Sequence, residues 1–168
     1  AYLATHDALT GLANRTLFMD RLKHAMARAH RCDTRIALLF LDLDKFKQVN
    51  DTYGHGIGDQ LLKMVAERIG GNVREDDTVA RLSGDEFIVI LESITTHQGA
   101  ATAADVINSK LVQPFHINGK TLNIDVSIGT AIYPDDSEDI EELIKIADEA
   151  MYAVKGKDRS LPLSGQLS

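Results

Sequence analysis

The sequence predicts an α+β domain with a mixed, mainly antiparallel central sheet flanked by helices. Three observations carry that expectation. Two turn dipeptides, Ser83-Gly84 and Asn118-Gly119, each lie between short apolar, β-branched runs, the pattern of a β-hairpin. Apolar residues at helical spacing occupy the stretches between and around those hairpins. A run at 35–42 is apolar on both faces, as a central, buried strand is. The order is α-β-α-β-β-α-(β-β)-α, a sandwich of the ferredoxin-like or polymerase-palm kind.

Each element has its own signals. Residues 2–12 read as short and irregular, ending at Thr10-Gly11. Asn14 is an N-cap, and Leu17, Phe18, Leu22, Met26 and Ala29 follow on one helix face. The polar break 31–34 leads into the strand 35–42. Residues 45–50 read as a short helical turn, and 51–58 as a glycine-rich loop. Leu61, Leu62, Val65, Ala66 and Ile69 mark the next helix, which Gly70-Gly71 stops. The central hairpin runs from Thr78 to Leu91. A helix over 98–112 ends before Pro114. Phe115–Ile117, the Asn118-Gly119 turn and 122–132 form the second hairpin. Ser137 opens the last helix, with Ile140, Leu143, Ile144, Ala147, Met151 and Val154 as its stripe and Gly156 as its end. Residues 1–159 are expected to form the domain, and 160–168 a tail or linker. Met19, Met26 and Met151 fall at helical core spacing, and Asp7 with Arg15 reads as an ion pair or cap beside the first long helix.

At 168 residues the chain is long enough for one domain with a full core. A single cysteine, Cys32, excludes an internal disulfide. The net charge of −7 disfavours a broad face for a nucleic-acid polymer or a membrane. It leaves room for a nucleotide held through a cation. No apolar run approaches the length of a membrane span, about 20 residues. The start at Ala1-Tyr2-Leu3 continues an apolar pattern, so a truncated helix of a larger protein is expected upstream.

The chemistry gathers at the ends of two strands. Asp42 and Asp44 stand at the end of the apolar run 35–40, and Asp85-Glu86 follow the hairpin bend directly. Taken alone, Asp42 and Asp44 read as solvated turn residues. If the two strands are neighbours, their carboxylates converge into a site for a hard cation such as Mg²⁺, which takes oxygen ligands and keeps a face for phosphate. The strand-to-helix turn at 45–47 exposes backbone N–H groups at a helix start, a ready phosphate cradle. His55 has no second His or Cys at ligand spacing and reads as a loop-stabilising residue.

Six stretches together resemble the GGDEF domain of diguanylate cyclases. Asp7–Arg15 resembles its opening DxLTGLxNR. Leu41–Asp51 resembles DxDxFKxxND, and Gly54–Asp59 resembles GHxxGD. Arg81-Leu82-Ser83-Gly84-Asp85-Glu86-Phe87 resembles the signature hairpin, with Ser83 in place of its first glycine. Ser127-Ile128-Gly129 resembles the SIG strand, and Ala147–Tyr152 with Lys155 resembles ADxAMYxAK. The resemblance spans about residues 5–159, in order and at the right spacing.

The resemblance implies a palm-like nucleotidyl cyclase fold and the condensation of two GTP into cyclic di-GMP with release of pyrophosphate. It implies a Mg²⁺ ion, with Mn²⁺ as an alternative, on Asp42, the Leu43 carbonyl and Asp85. Asp85 is the implied catalytic base, with Glu86 as its acidic neighbour. The amides of Lys45, Phe46 and Lys47 would cradle phosphates, Asn50 and Asp59 would read guanine, Ser83 and Gly84 would border the nucleoside, and Lys155 and Arg159 would face the triphosphate. A homodimer is implied, each domain bringing one GTP. Arg74-Glu75-Asp76-Asp77 resembles the family's RxxD, which makes Arg74 and Asp77 the implied inhibitory product site. A cytoplasmic location is implied, within a protein that carries a sensor domain upstream and a phosphodiesterase domain downstream, and that is itself attached to a membrane. The alternative is a domain without turnover that senses GTP or cyclic di-GMP.

Overall fold

The computed structural model describes the backbone of residues 2–167 and the side chains of residues 4–156. The element order is α1 (Tyr2–Thr5), α2 (Arg15–Cys32), β1 (Arg35–Asp44), α3 (Phe46–Tyr53), α4 (His55–Gly70), β2 (Thr78–Ser83), β3 (Glu86–Ile94), α5 (His97–Leu111), β4 (Phe115–Ile117), β5 (Lys120–Leu122), β6 (Asp125–Tyr133) and α6 (Ile140–Leu167). The main sheet has the order β2-β3-β1-β6, and all three of its pairings are antiparallel. A parallel contact occurs only as an isolated bridge between Ala13 and Ala80 among the described residues.

Strand β1 is apolar on both faces because it has a core on each side. Ala37, Leu39, Leu41 and Leu43 pack against Leu61, Val65 and Ile69 of α4 and Ile107 and Leu111 of α5. The alternate residues Ile36, Leu38 and Phe40 pack against Phe18 and Leu22 of α2 and Leu143, Ala147 and Met151 of α6. Period-2 alternation along one strand thus feeds two layers of helices.

Local physics sets several boundaries differently from the sequence expectation. Helix α1 replaces the irregular start, and Asp7 holds the turn after it by accepting from Thr10 N at 2.8 Å and Thr10 Oγ1 at 2.7 Å. Asp7 pairs with Arg81 at 3.0 Å, not with Arg15. Asn14 caps α2 as expected, accepting from Leu17 N. The expected loop 51–58 is almost entirely helical, since α3 runs to Tyr53, α4 starts at His55, and Gly54 alone (φ 91) makes the bend. The second hairpin is cut short. β4 pairs with β5 across Asn118-Gly119, whereas β6 leaves to join the edge of the main sheet beside β1. Asp139, not Ser137, caps α6, accepting from Glu142 N at 3.0 Å. Helix α6 continues through Gly156 to Leu167 and so runs on through the segment read as a tail.

Gly129 sets how closely α6 lies on β6. A Cβ there would fall 2.1 Å from Met151 N and 2.2 Å from Ala147 O, so only glycine permits this approach. Lys155 stands four residues beyond Met151 on the same helix face, and the close packing carries it to the end of β1.

Candidate active site

The register of the sheet assembles the acidic ends. Asp42 lies opposite Glu86 on β3 and Ser127 on β6, and Leu43 N donates to the Asp85 carbonyl at 3.2 Å. The bend of the β2-β3 hairpin falls on Gly84, with φ 46. Ser83 ends strand β2 and carries no positive φ. Its hydroxyl donates to Glu86 Oε1 at 3.3 Å. Arg81 props the bend from behind. Its Nε donates to the Gly84 carbonyl at 2.9 Å and its guanidinium holds both Asp7 oxygens. Burial alone would raise the Asp7 carboxyl, but the hydrogen bonds from Thr10 and Arg81 outweigh it and hold it below its ordinary range.

Asp42 is buried, only 7% exposed. Its Oδ2 lies 2.6 Å from Lys155 Nζ, whereas its Oδ1 is buried with no hydrogen-bond partner. Asp44 lies 3.8 Å from the same ammonium and accepts from Ser127 Oγ at 3.1 and 2.9 Å. Asp85 has its pKa pushed up from 3.8 to about 6, by burial first, then by the charge of Asp42 and a proton shared with it. A proton on Asp85, a water or a cation would each satisfy the Asp42 Oδ1 that lacks a donor. Burial would lower the Lys155 ammonium, but its hydrogen bond to Asp42 and the charges of Asp42, Asp44 and Asp85 hold it above its ordinary range.

This chemistry fits a small oxygen-seeking cation. An unpartnered buried carboxylate oxygen and a second carboxylate that resists ionising beside it are what such an ion relieves. Among the described residues no group of three or more His, Cys, Asp or Glu side chains forms a metal cage. Asp42 and Asp85 are the carboxylates that stand together here, and a hard cation takes oxygen donors of this kind while leaving further positions to water or phosphate.

A cleft of about 790 Å³ opens beside these groups, bordered by Leu43, Asp85 and Lys155 and by the first turn of α3. Lys45 precedes α3 in left-handed backbone (φ 67) and no side chain caps the helix, so the first N–H groups of α3 have no side-chain acceptor. Lys45 Nζ reaches Asp125 at 3.9 Å. Of the expected site residues, Asp42, Leu43, Asp85, Lys45, Phe46, Lys47 and Lys155 come together around this cleft. Asn50 and Asp59 lie at the α3-α4 junction instead, with Asn50 Oδ1 buried and unpartnered and Asp59 exposed. Arg159 lies outside the residues whose side chains are described.

Arg74 and Asp77 stand before β2, away from this cleft. The Asp77 carboxylate accepts from Arg74 N at 2.8 Å and Glu92 N at 2.9 Å, and the Arg74 side chain is exposed. Arg81 and Ser127 have supporting roles that the sequence did not assign. Both sit inside the matched stretches, so the signal was their place in the pattern.

A family model described as diguanylate cyclase, GGDEF domain, matches residues 4–160. The chain belongs to that family. The bifunctional diguanylate cyclase/cyclic di-GMP phosphodiesterase MucR of Pseudomonas aeruginosa is 49% identical over 94% of this chain and 23% of MucR. The cyclic di-GMP phosphodiesterase NbdA of the same organism is 40% identical over 94% of this chain and 20% of its own length. A solved structure of TpbB (YfiN) from Pseudomonas aeruginosa, comprising only the GGDEF domain, matches with a TM-score of 0.86 and 41% identity, covering 90% of this chain and 89% of that one. The chain spans less than a quarter of the length of MucR and of NbdA. No helix among the described residues is long and apolar enough to cross a membrane.

Proposed function

We propose that this GGDEF domain is a diguanylate cyclase that joins two GTP into cyclic di-GMP. The buried Asp42 Oδ1 without a partner, facing an Asp85 whose pKa is about 6, is the observation that carries the reading. Mg²⁺, or Mn²⁺ in its place, would be held by Asp42, the Leu43 carbonyl and Asp85, and would supply charge neutralisation at the phosphates.

The chain's own residues then have distinct tasks. The amides of Lys45, Phe46 and Lys47 at the start of α3 receive phosphate oxygens. Lys155 brings its ammonium to the triphosphate from the carboxylates it now contacts, and Arg159 follows one turn later on α6. Asn50 and Asp59 read the guanine edge, where a carboxylate accepts from N1–H and the 2-amino group together. Ser83 and Gly84 border the nucleoside. Asp85 takes the proton of the attacking 3′-hydroxyl, and Glu86 holds the Ser83 hydroxyl beside it. Each 3′-oxygen forms a bond to the α-phosphorus of the other GTP as that phosphorus loses pyrophosphate. Two domains facing each other are needed, because one cleft holds one nucleotide. Arg74 and Asp77 bind the product and limit its level.

The test is to strip the concentrated domain of nucleotide, incubate it with GTP and Mg²⁺ and analyse products by mass spectrometry. Cyclic di-GMP that disappears with Asp85→Asn is expected. No product, even when the domain is fused to a strong dimeriser, refutes turnover and favours the second reading, a sensor of GTP or cyclic di-GMP beside another domain. That second reading draws support from NbdA, a relative named only as a phosphodiesterase.

A further inference from the structure

Asn50 of α3 and Gly58 of α4 face each other across the single bend at Gly54. The Asn50 Oδ1 is buried and has no hydrogen-bond partner. A Cβ on Gly58 would fall 1.8 Å from that oxygen and 3.0 Å from Asn50 Cγ, with Phe46 Cζ 3.4 Å away. The side-chain amide thus fills the space that any other residue at 58 would take.

The backbone at 58 does not itself call for glycine. Gly58 sits in the first turn of α4 without the positive φ seen at Gly54, and its N–H donates to the Gly54 carbonyl at 3.2 Å. Alanine is the better helix former at such a position. What glycine supplies there is room for the Asn50 amide.

We propose that Gly58 is a specificity-determining positioning residue: its missing Cβ seats the Asn50 amide in the orientation that meets the purine edge. The proposal rests on the reading of Asn50 as a base-recognising residue. An amide presents an acceptor on one side and a donor on the other, so direction matters as much as presence. With alanine at 58 the amide must swing away from α4, and losing its hydrogen bond to the base while leaving a buried partner unpaired weakens binding about tenfold. The fold tolerates the change, because the atom that gives way is the end of a side chain.

The experiment is a calorimetric titration of the intact domain with Mg²⁺ and 3′-deoxy-GTP, which lacks the attacking hydroxyl. Wild type, Gly58→Ala, Asn50→Ala and the double variant are compared, with thermal unfolding of each. Gly58→Ala should weaken binding about tenfold without lowering the unfolding midpoint. The double variant should bind no worse than Asn50→Ala alone, since Gly58 acts only through Asn50. Wild-type affinity in Gly58→Ala overturns the proposal. So does a glycine effect that persists in full in the Asn50→Ala background, or a Gly58→Ala variant that melts well below wild type. A wild-type domain that binds no nucleotide overturns the reading of the site as well, which separates the two failures.

Discussion

Replacing Asp85 with asparagine should make the metal-free domain more stable while removing its use for a cation. The folded carboxyl keeps its proton up to about pH 6, against an ordinary value of 3.8, because burial and then the Asp42 charge oppose its ionisation. The stability this group contributes is full below pH 3.8 and is lost as the pH rises through about 6. At about 1.4 kcal/mol per tenfold, the whole displacement is worth at most about 3 kcal/mol. Asp85 is only half-buried, so solvent screening leaves about 1–2 kcal/mol. Asparagine cannot ionise and escapes that loss. For a chain of this length the gain corresponds to a rise of about 3–6 °C in the unfolding midpoint. The assay is calorimetric melting in chelator at pH 7.5 and at pH 4.5, repeated with Mg²⁺ at the higher pH. Asp85→Asn should melt above wild type at pH 7.5, and the gap should narrow at pH 4.5. Added Mg²⁺ should raise wild type alone. A variant that melts at or below wild type at pH 7.5 in chelator refutes the picture of two carboxylates forced together.

Four further outcomes follow from the structure. Gly129→Ala should drive α6 off β6 and destabilise the domain by about 1–3 kcal/mol in urea titrations; an unchanged midpoint would mean the approach of Met151 N is not a close one. Ser83→Gly should change product formation by less than about twofold, as the left-handed bend falls on Gly84; a tenfold gain would show that the hydroxyl crowds the nucleotide. Asp77→Ala should cost about 1–2 kcal/mol because two backbone amides lose their acceptor, whereas Arg74→Ala should leave stability alone and relieve product inhibition, read as progress curves that no longer flatten.

The fold was legible where one residue type had one physical meaning. Asn14 as a cap, Asn118-Gly119 as a hairpin turn and the two-sided apolar pattern of 35–42 all appear as read. Glycine misled where it had several. Gly56 and Gly58 look like loop residues in one dimension but sit inside α4, where Gly58 makes room for a side chain from another helix. The strand partner of β6 was equally hidden. Nothing local says that residues 123–124 break the run and send β6 to a different sheet. At the candidate site, the convergence of Asp42 and Asp85 followed from strand ends and a turn. The Asp7–Arg81 pair did not, because 74 positions separate its members and only the folded chain brings them together.

Strand β1 has consequences for motion. Its amides lie in the middle of the sheet, bonded to β3 on one side and β6 on the other, with a core above and a core below. No local fraying can free them, so the amides of 37–41 should exchange with solvent deuterium only when the whole domain opens. Asp42 inherits that rigidity. Whatever adjusts when a ligand arrives has to come from the neighbours that reach toward it: the hairpin tip at Gly84, the first turn of α3 and the Lys155 side chain. The site has one fixed wall, and its moving parts are all on the other side.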